Sequence, residues 1–165
     1  MYRIGEYVVY GTSGVCEITD ITASPFDKRD SRTFYVLRPV AGSASSLIYT
    51  PVDNDRVPMR PLISADEVEA LLERIAGIPC LTVHEERARR EVYRTAIAEA
   101  HPDAYVAVIK TIRARRRDFQ GTQRRLPEFE IECESVARRH LLSELAVVLG
   151  KQTAEVEEYI TARVV

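Results

Sequence analysis

The segment YVVYGTSGVCEI, residues 7–18, has the composition of two short β-strands joined by a tight connection. Tyr7–Tyr10 is a run of β-branched and aromatic residues, and from Val15 onward apolar residues alternate with polar ones. The connection contains Gly11 and Gly14, which can adopt the positive φ angles that such a turn requires. This pattern predicts that the fold begins with an antiparallel hairpin.

The strand pattern continues through roughly the first sixty residues. Residues 33–37 and 46–50 have strand composition, and they are separated by a polar tip at 24–31 and a small-residue link at 41–44. Pro51 is expected to end the hydrogen-bonding run. A simple two-sheet fragment would expose too much strand edge to stand alone. Four or five short strands therefore predict a small SH3- or Tudor-like antiparallel β-barrel.

After Pro61 the apolar residues recur at helical spacing. Ser64 with Glu67 forms a capping box at the start of the first predicted helix, which Gly77 and Pro79 end. Further helices are predicted at about 85–100, from Pro102 to the polar loop at 118–126, at about 127–149, and at 154–160 after a capping Thr153. The predicted fold is α+β, with a β-barrel domain at residues 1–62 followed by a compact all-α domain of four to five helices at residues 63–165.

The net charge of −2 conceals a strongly basic block. Residues 84–125 hold eleven basic and six acidic side chains, a local net charge of +5 in a chain that is otherwise acidic. Such a block predicts contact with a polyanion. No apolar run approaches the ~20 residues that span a bilayer. The first strand begins almost at Met1, leaving no room for a signal peptide, so we expect a cytoplasmic protein.

Residue types that carry catalysis or bind metal are present but are not grouped. Cys16, Cys80 and Cys133 are far apart and are expected to be buried free thiols. No phosphate-cradling glycine loop or nucleophile motif occurs, which predicts a protein that is not an enzyme and has no cofactor or metal. The histidines are scattered along the chain, at His84, His101 and His140. A run of glutamates with a period of two is expected to form a solvated surface, and its members are Glu128, Glu130, Glu132 and Glu134.

Arginine side chains recur at helical spacing within the basic block. Arg87, Arg90 and Arg94 would form one stripe beside an apolar helix face. Lys110, Arg113 and Arg117 would form a similar stripe on the next predicted helix. The planar guanidinium fork suits phosphate oxygens and a narrow minor groove, so these residues are candidates for DNA contact. A solvated helix face is the alternative, and the charge pattern alone leaves both open.

The strand at residues 46–50 is a second candidate site. A hydrophobic strand near a barrel edge, stopped by proline, can pair with a strand of a partner protein by β-augmentation. An ordinary internal strand of the barrel would have the same composition. The residues alone do not decide between these two interpretations.

The segment IGEYVVYGTSGVC, residues 4–16, resembles the opening of the CarD family, also called CarD/CdnL, whose N-terminal module also occurs in the transcription-repair coupling factor. A coupling factor would need helicase motifs, and this sequence has none. The stand-alone regulator is therefore the closer match. The similarity extends through residues 48–54 and 59–62, and in the helical part through residues 89–90, 108–112 and 144–150.

The resemblance implies a Tudor-like domain that binds the β-subunit of bacterial RNA polymerase by strand pairing. It also implies a helical domain that contacts promoter DNA at the upstream edge of the transcription bubble and stabilises the open complex. The implied polymerase-binding residues are Ser46, Leu47, Ile48, Tyr49, Thr50 and Val52, and the implied DNA-binding residues are Arg87, Arg89, Arg90, Arg94, Lys110 and Arg113.

One departure from the family concerns the tryptophan that its members place two residues before an arginine pair, as a wedge in the minor groove. The chain has no tryptophan, and alignment on Arg89-Arg90 puts Arg87 at this position. Arginine unstacks bases poorly, so we expect weaker bubble stabilisation and a DNA affinity that falls steeply with salt. The alternative is an adaptor that binds polymerase or another partner without DNA contact.

Overall fold

The computed structural model describes residues 1–42 and 45–163, and the chain divides into two units, Met1–Leu62 and Ile63–Val165. Part of the predicted small-residue link, residues 43–44, lies outside the described residues. The first unit is an antiparallel sheet and the second is helical. The prediction of an α+β fold is confirmed.

The described residues of the N-terminal unit form five antiparallel strands in the spatial order β4-β3-β2-β1-β5. The predicted hairpin is formed by β1 and β2, with Val8 opposite Cys16. The strand predicted from Ser46 begins two residues later, at Ile48. The strand bounds are Tyr7–Tyr10 for β1, Gly14–Ala23 for β2, Thr33–Pro39 for β3, Ile48–Pro51 for β4 and Met59–Pro61 for β5.

The hairpin connection needs its first glycine for two reasons. Gly11 has a φ of +46°, and a Cβ atom added there would lie 2.6 Å from Cγ1 of Val57. Any larger residue would therefore combine backbone strain with a steric clash. One buried cluster of the sheet consists of Val8, Cys16, Ile18, Tyr35 and Leu37. Residues of the opposite parity are buried as well, namely Val9, Val15, Phe34 and Val36.

Up to residue 163, the C-terminal unit forms five α-helices, in agreement with the predicted four to five. The Ser64 capping box is confirmed, and α4 ends where Gly150 adopts a left-handed φ of +63°. Within the described part of the chain, none of the helices combines the length and apolar character needed to cross a bilayer. The helix bounds are Ala65–Arg74 for α1, Arg89–Ala98 for α2, Pro102–Asp118 for α3, Glu128–Leu149 for α4 and Thr153–Arg163 for α5.

Two helices differ from their predicted bounds. The second helix was expected from about residue 85, but Glu86–Ala88 forms a 3-10 turn and α2 begins at Arg89. The last helix is longer than expected. It begins at Thr153 itself, and the Glu155 carboxylate accepts a hydrogen bond from the Gln152 N–H at 2.7 Å.

The three thiols differ in exposure. Cys16 is buried in the sheet core and Cys133 is half-buried on α4. Cys80 is exposed, so the prediction of a buried thiol is wrong for this residue. It lies in a segment without regular secondary structure, after the 3-10 turn that follows α1.

The helical core includes one histidine among apolar residues. His140 is buried on α4, and its ring packs edge-to-face on Tyr105 with the centroids 5.6 Å apart. Its Nδ1 atom has no hydrogen-bond partner among the residues that the structure describes. Burial, with a smaller contribution from Arg139, lowers the pKa of His140 to about 4. The folded protein therefore resists protonation of this ring.

This histidine predicts that the protein loses stability in mild acid. The pKa of His140 is lower in the folded protein than the unfolded value of about 6.5. The stability that the neutral ring contributes is therefore complete above about pH 6.5 and is lost as the pH falls toward 4. The free energy of unfolding, measured with urea, should be about 2 kcal/mol lower at about pH 5 than at about pH 7.5. His140→Asn should flatten this dependence, whereas the exposed His101→Asn should retain it; parallel curves for all three proteins would contradict the assignment.

Candidate functional site

The strand β4 lies at the end of the sheet, with β3 on one side. Its register places Tyr49 opposite Val36 and Thr50 opposite Tyr35. The N–H of Val52 donates to the carbonyl of Thr33 at 2.9 Å, which identifies their pair as hydrogen-bonded. Because such pairs alternate along an antiparallel ladder, the N–H and C=O of Tyr49 point away from β3, toward the open edge. This is the geometry that β-augmentation uses.

Exposed apolar side chains flank this edge. Phe26, in the loop between β2 and β3, is 74% exposed, and its ring centroid lies 5.6 Å from that of Tyr49 in an edge-to-face arrangement. Leu47 is also exposed, just before β4 begins. We call Phe26, Leu47 and Tyr49 the aromatic patch. Sequence reasoning missed Phe26 because it assigned residues 24–31 to a polar tip, although a single phenylalanine among polar residues was visible there.

The predicted polymerase-binding residues fall into two groups. Ser46, Leu47 and Tyr49 are exposed or partly exposed at the edge. Ile48 and Val52 pack against the sheet core, and Thr50 is buried. The strand therefore offers its outward backbone groups and alternate side chains to a partner.

Three of the predicted DNA-binding arginines form an exposed stripe along the start of the α2 region. The Arg87 side chain is 86% exposed and pairs with Glu85 at 2.7 Å, while Arg94 pairs with Glu91 at 3.4 Å. Arg90 stacks its guanidinium over the ring of Phe129, 4.7 Å from the centroid. Exposed ion pairs of this kind contribute little stability, so a phosphate could replace either carboxylate at small cost.

The next arginine in the sequence has a different environment. Arg89 is only 8% exposed and forms a two-pronged ion pair with Glu86, at 2.9 and 2.8 Å. It also donates to the hydroxyl of Tyr93 at 3.3 Å. The hydrogen bonds to Glu86 raise the pKa of Arg89 and lower that of Glu86 to about 2. The Arg89 guanidinium is thus committed inside the helical unit.

Arg89 belongs to a buried ion network centred on Glu130. The Glu130 carboxylate is fully buried and accepts hydrogen bonds from Arg115 at 2.9 and 3.0 Å and from the hydroxyl of Tyr93 at 3.1 Å. Arg115 also donates to Glu86 at 3.0 Å. These contacts join the turn before α2 to α2, α3 and α4. We call Glu86, Arg89, Tyr93, Arg115 and Glu130 the buried ion network; Glu86 closes it at the surface, where its side chain is exposed.

The prediction that the glutamate run on α4 forms a solvated surface holds for only two of its four residues. Glu128 and Glu132 are exposed. Glu130 lies inside the buried ion network, and Glu134 accepts hydrogen bonds from Arg113 at 3.1 Å and from Arg116. The prediction of a solvated surface is wrong for these two residues because α2 and α3 cover that side of α4 with cations.

The two predicted cations of α3 also have internal partners. The Lys110 ammonium donates to the backbone carbonyls of Ile75, Ala76 and Ile78 at 3.2, 2.9 and 2.6 Å. It thereby caps the 3-10 turn Ile75–Gly77 that follows α1, where the carbonyl of Ile75 also accepts the N–H of Ile78. Arg113 is more exposed but pairs with Glu134. The structure brings Arg87, Arg90 and Arg94 together at the surface and engages Arg89 and Lys110 inside.

The contacts of Lys110 predict a structural effect when it is replaced. Lys110→Met keeps the aliphatic stem and removes three charge-assisted hydrogen bonds, so we expect a loss of about 1.5–3 kcal/mol in the free energy of unfolding. Arg117→Met, at an exposed position of the same helix, should change it by less than about 0.5 kcal/mol. Chemical denaturation followed by circular dichroism measures both. Equal stability of the two variants would show that the cap is dispensable.

The comparison with protein families concerns the sheet unit. Residues 2–63 match the family model described as the CarD-like/TRCF RID domain. The N-terminal unit is a CarD-like RID domain. This module is a Tudor-like fold, so the predicted fold class and the resemblance at this end of the chain are confirmed. A search of curated proteins finds no match to the chain.

The RID domain is a protein-interaction module that acts in transcription through RNA polymerase. The match therefore indicates a transcription-related function for this chain, with RNA polymerase as the kind of partner. The match ends at residue 63, so the helical unit lies outside it.

Proposed function

We propose that this protein is a regulator of bacterial transcription, working in the cytoplasm. It docks on the β-subunit of RNA polymerase through the open edge of β4 and contacts promoter DNA through Arg87, Arg90 and Arg94. The observation that carries the proposal is the outward-facing backbone of Tyr49 at the end of an RID-domain sheet. Its action is on the upstream edge of the bubble, where it adjusts the lifetime of the open complex.

Docking by strand addition is supported by both the backbone and the side chains of the edge. The N–H and C=O of Tyr49 can extend the ladder onto a strand of the β-subunit. The aromatic patch beside them supplies apolar area of the kind that dominates interface energetics. Aromatic rings are rigid, so a contact with Phe26 and Tyr49 costs little side-chain entropy.

DNA contact is supported by the exposed arginine stripe. Its three guanidiniums lie at one surface, and two of them pair with exposed carboxylates. Recognition would be mainly of phosphates and groove shape, without reading base edges. Arg89 and Lys110 are omitted from this surface because their polar atoms already have buried or backbone partners. Arg113 contributes only if it releases Glu134.

The stripe predicts a salt-dependent loss of DNA affinity in a double variant. Arg87→Ala with Arg94→Ala removes two phosphate contacts, so the slope of log affinity against log salt should decrease by about 2. Footprinting of a promoter–polymerase complex should lose the protection that the unmodified protein adds at the upstream bubble edge. Arg139→Ala, which removes an exposed arginine from α4, is the matched control. Unchanged protection and open-complex lifetime in the double variant would exclude the stripe.

The second candidate is an adaptor that binds polymerase without touching DNA. The specific observation in its favour is that the chain lacks tryptophan and that Arg89, aligned with the family's arginine pair, is buried. The same footprint separates the two functions, because an adaptor binds polymerase and adds no protection.

A further inference from the structure

A second basic surface lies in the loop between α3 and α4, apart from the arginine stripe. An open hollow of about 340 Å³ lies there. The residues that line it include Arg116, Phe119, Arg124, Arg125, Leu126 and Ile131. This volume is at the lower end of the roughly 300–1,000 Å³ found for small-ligand clefts. We call these six residues the arginine cup.

The floor of the arginine cup is apolar and reachable. Ile131 is 52% exposed, although it belongs to α4, and it lies beside Phe119 and Leu126. A branched aliphatic side chain exposed to this degree beside an aromatic ring is a surface that a flat apolar group can cover. The floor gains most from a ligand with a planar, apolar face.

The cations of the cup are all arginines and several are available. Arg124 stacks over the ring of Phe119, 4.3 Å from its centroid, and the guanidinium of Arg115 lies 5.1 Å from the same centroid. Arg125 is exposed. Arg116 already pairs with Glu134. The loop holds Arg124 through the Thr122 hydroxyl, which accepts its N–H at 3.1 Å and donates to the carbonyl of Phe119 at 2.7 Å. Guanidiniums placed on an aromatic floor suit a ligand that has both phosphates and a π face.

The cup and the stripe face different directions. Arg90 of the stripe stacks on Phe129, whereas Ile131 lines the cup. Helix positions two residues apart lie on nearly opposite sides of the axis, because each residue turns the helix by about 100°. The start of α4 therefore separates the two surfaces, and one stretch of straight duplex cannot lie flat on both.

We propose that the arginine cup binds an unpaired nucleotide of single-stranded nucleic acid. The base lies on Leu126, Ile131 and the guanidinium plane of Arg124, which itself covers the ring of Phe119, and the flanking phosphates contact Arg125 and the edge of Arg124. A duplex keeps its bases stacked inside and cannot cover this floor, whereas a melted strand can. The inference rests on the proposed function in one respect, since a promoter complex is where this protein would meet a melted strand. An acidic peptide with an apolar anchor is the competing ligand, but it would not use the guanidinium stack.

Fluorescence anisotropy of the full chain with two labelled probes tests the proposal. One probe is an oligothymidine of about 12 nucleotides, and the other is an abasic oligomer of the same length and charge. We expect the protein to prefer the oligothymidine by about 5- to 100-fold, which corresponds to the stacking of one base. Ile131→Ser and Arg124→Ser should remove most of this preference, whereas Glu132→Ser, on the neighbouring exposed position, should keep it.

The outcomes separate this inference from the proposed function. The stripe variant Arg87→Ala with Arg94→Ala should weaken duplex binding and leave the preference for oligothymidine over the abasic probe unchanged. Equal affinity for the two probes, or binding to neither, overturns the base site while leaving the docking edge and the stripe untouched. Displacement of the oligothymidine by an Asp- and Glu-rich peptide with one leucine, but not by its serine counterpart, would instead identify a peptide site and overturn the proposal.

Discussion

Glu130→Ala is expected to remove about 3–5 kcal/mol from the free energy of unfolding of the helical unit. The substitution deletes the acceptor of three hydrogen bonds, two from Arg115 and one from Tyr93, at a position with no access to solvent. Among the described residues, Glu86 is then the carboxylate that still pairs with Arg115. The Arg115 side chain is largely buried. An incompletely paired charge away from water costs more than the cavity that the smaller residue leaves.

Glu132→Ala is the matched control for this prediction. Glu132 lies two residues further along the same helix and is exposed, so its loss should change stability by less than about 0.5 kcal/mol. Urea denaturation of the full chain, followed by circular dichroism at 222 nm (the helical signal), measures both variants. A Glu130→Ala protein within about 1 kcal/mol of the unmodified chain would mean that the buried ion network does not hold the helices together.

Tyr49→Pro is expected to lower the affinity for RNA polymerase by about tenfold or more. Proline removes the one N–H of β4 that points outward between Ile48 and Thr50, so a partner carbonyl at this edge is left without its donor. The internal ladder survives, because the Tyr49–Val36 pair is not one that exchanges hydrogen bonds with β3. Edge strands tolerate proline at such positions.

Two controls distinguish loss of the backbone donor from other effects. Tyr49→Thr removes the ring but keeps the N–H, and should retain binding better than Tyr49→Pro. Thr50→Pro removes a donor that faces β3 and should destabilise the sheet itself. A polymerase pull-down quantified for the three variants, with their melting curves, gives the comparison. Equal binding by the proline and threonine variants would show that the side chain, rather than strand pairing, makes the contact.

The sheet was predictable because its signals are local. Period-two alternation and two glycines are sufficient to predict the strands around Val8 and Ile48. The prediction that Pro51 ends the hydrogen-bonding run is wrong, because the Val52 N–H still donates to the carbonyl of Thr33. The capping box at Ser64 predicted the start of α1 for the same reason. Edge position is different, since it depends on which strands pair, and composition alone left β4 as either an edge or an internal strand.

The candidate sites were harder because burial of a charge depends on residues distant in the sequence. Glu130 is covered by Arg115 and Tyr93, which lie 15 and 37 positions away. Lys110 finds carbonyl acceptors 32–35 residues earlier. Helical periodicity places a charge on one side of its own helix, but it does not say whether another helix packs there. For this reason the predicted stripe survives at Arg87, Arg90 and Arg94, whereas Arg89 and Lys110 have internal roles.

Hydrogen–deuterium exchange of the full chain, with and without the isolated polymerase β-subunit, most directly tests docking through the edge of β4. Binding should slow exchange in the peptide spanning residues 45–52, because the Tyr49 amide gains a partner carbonyl. The opposite edge, β5 at Met59–Pro61, should exchange as before. Slowed exchange at β5 with no change at residues 45–52 would contradict strand addition at this edge.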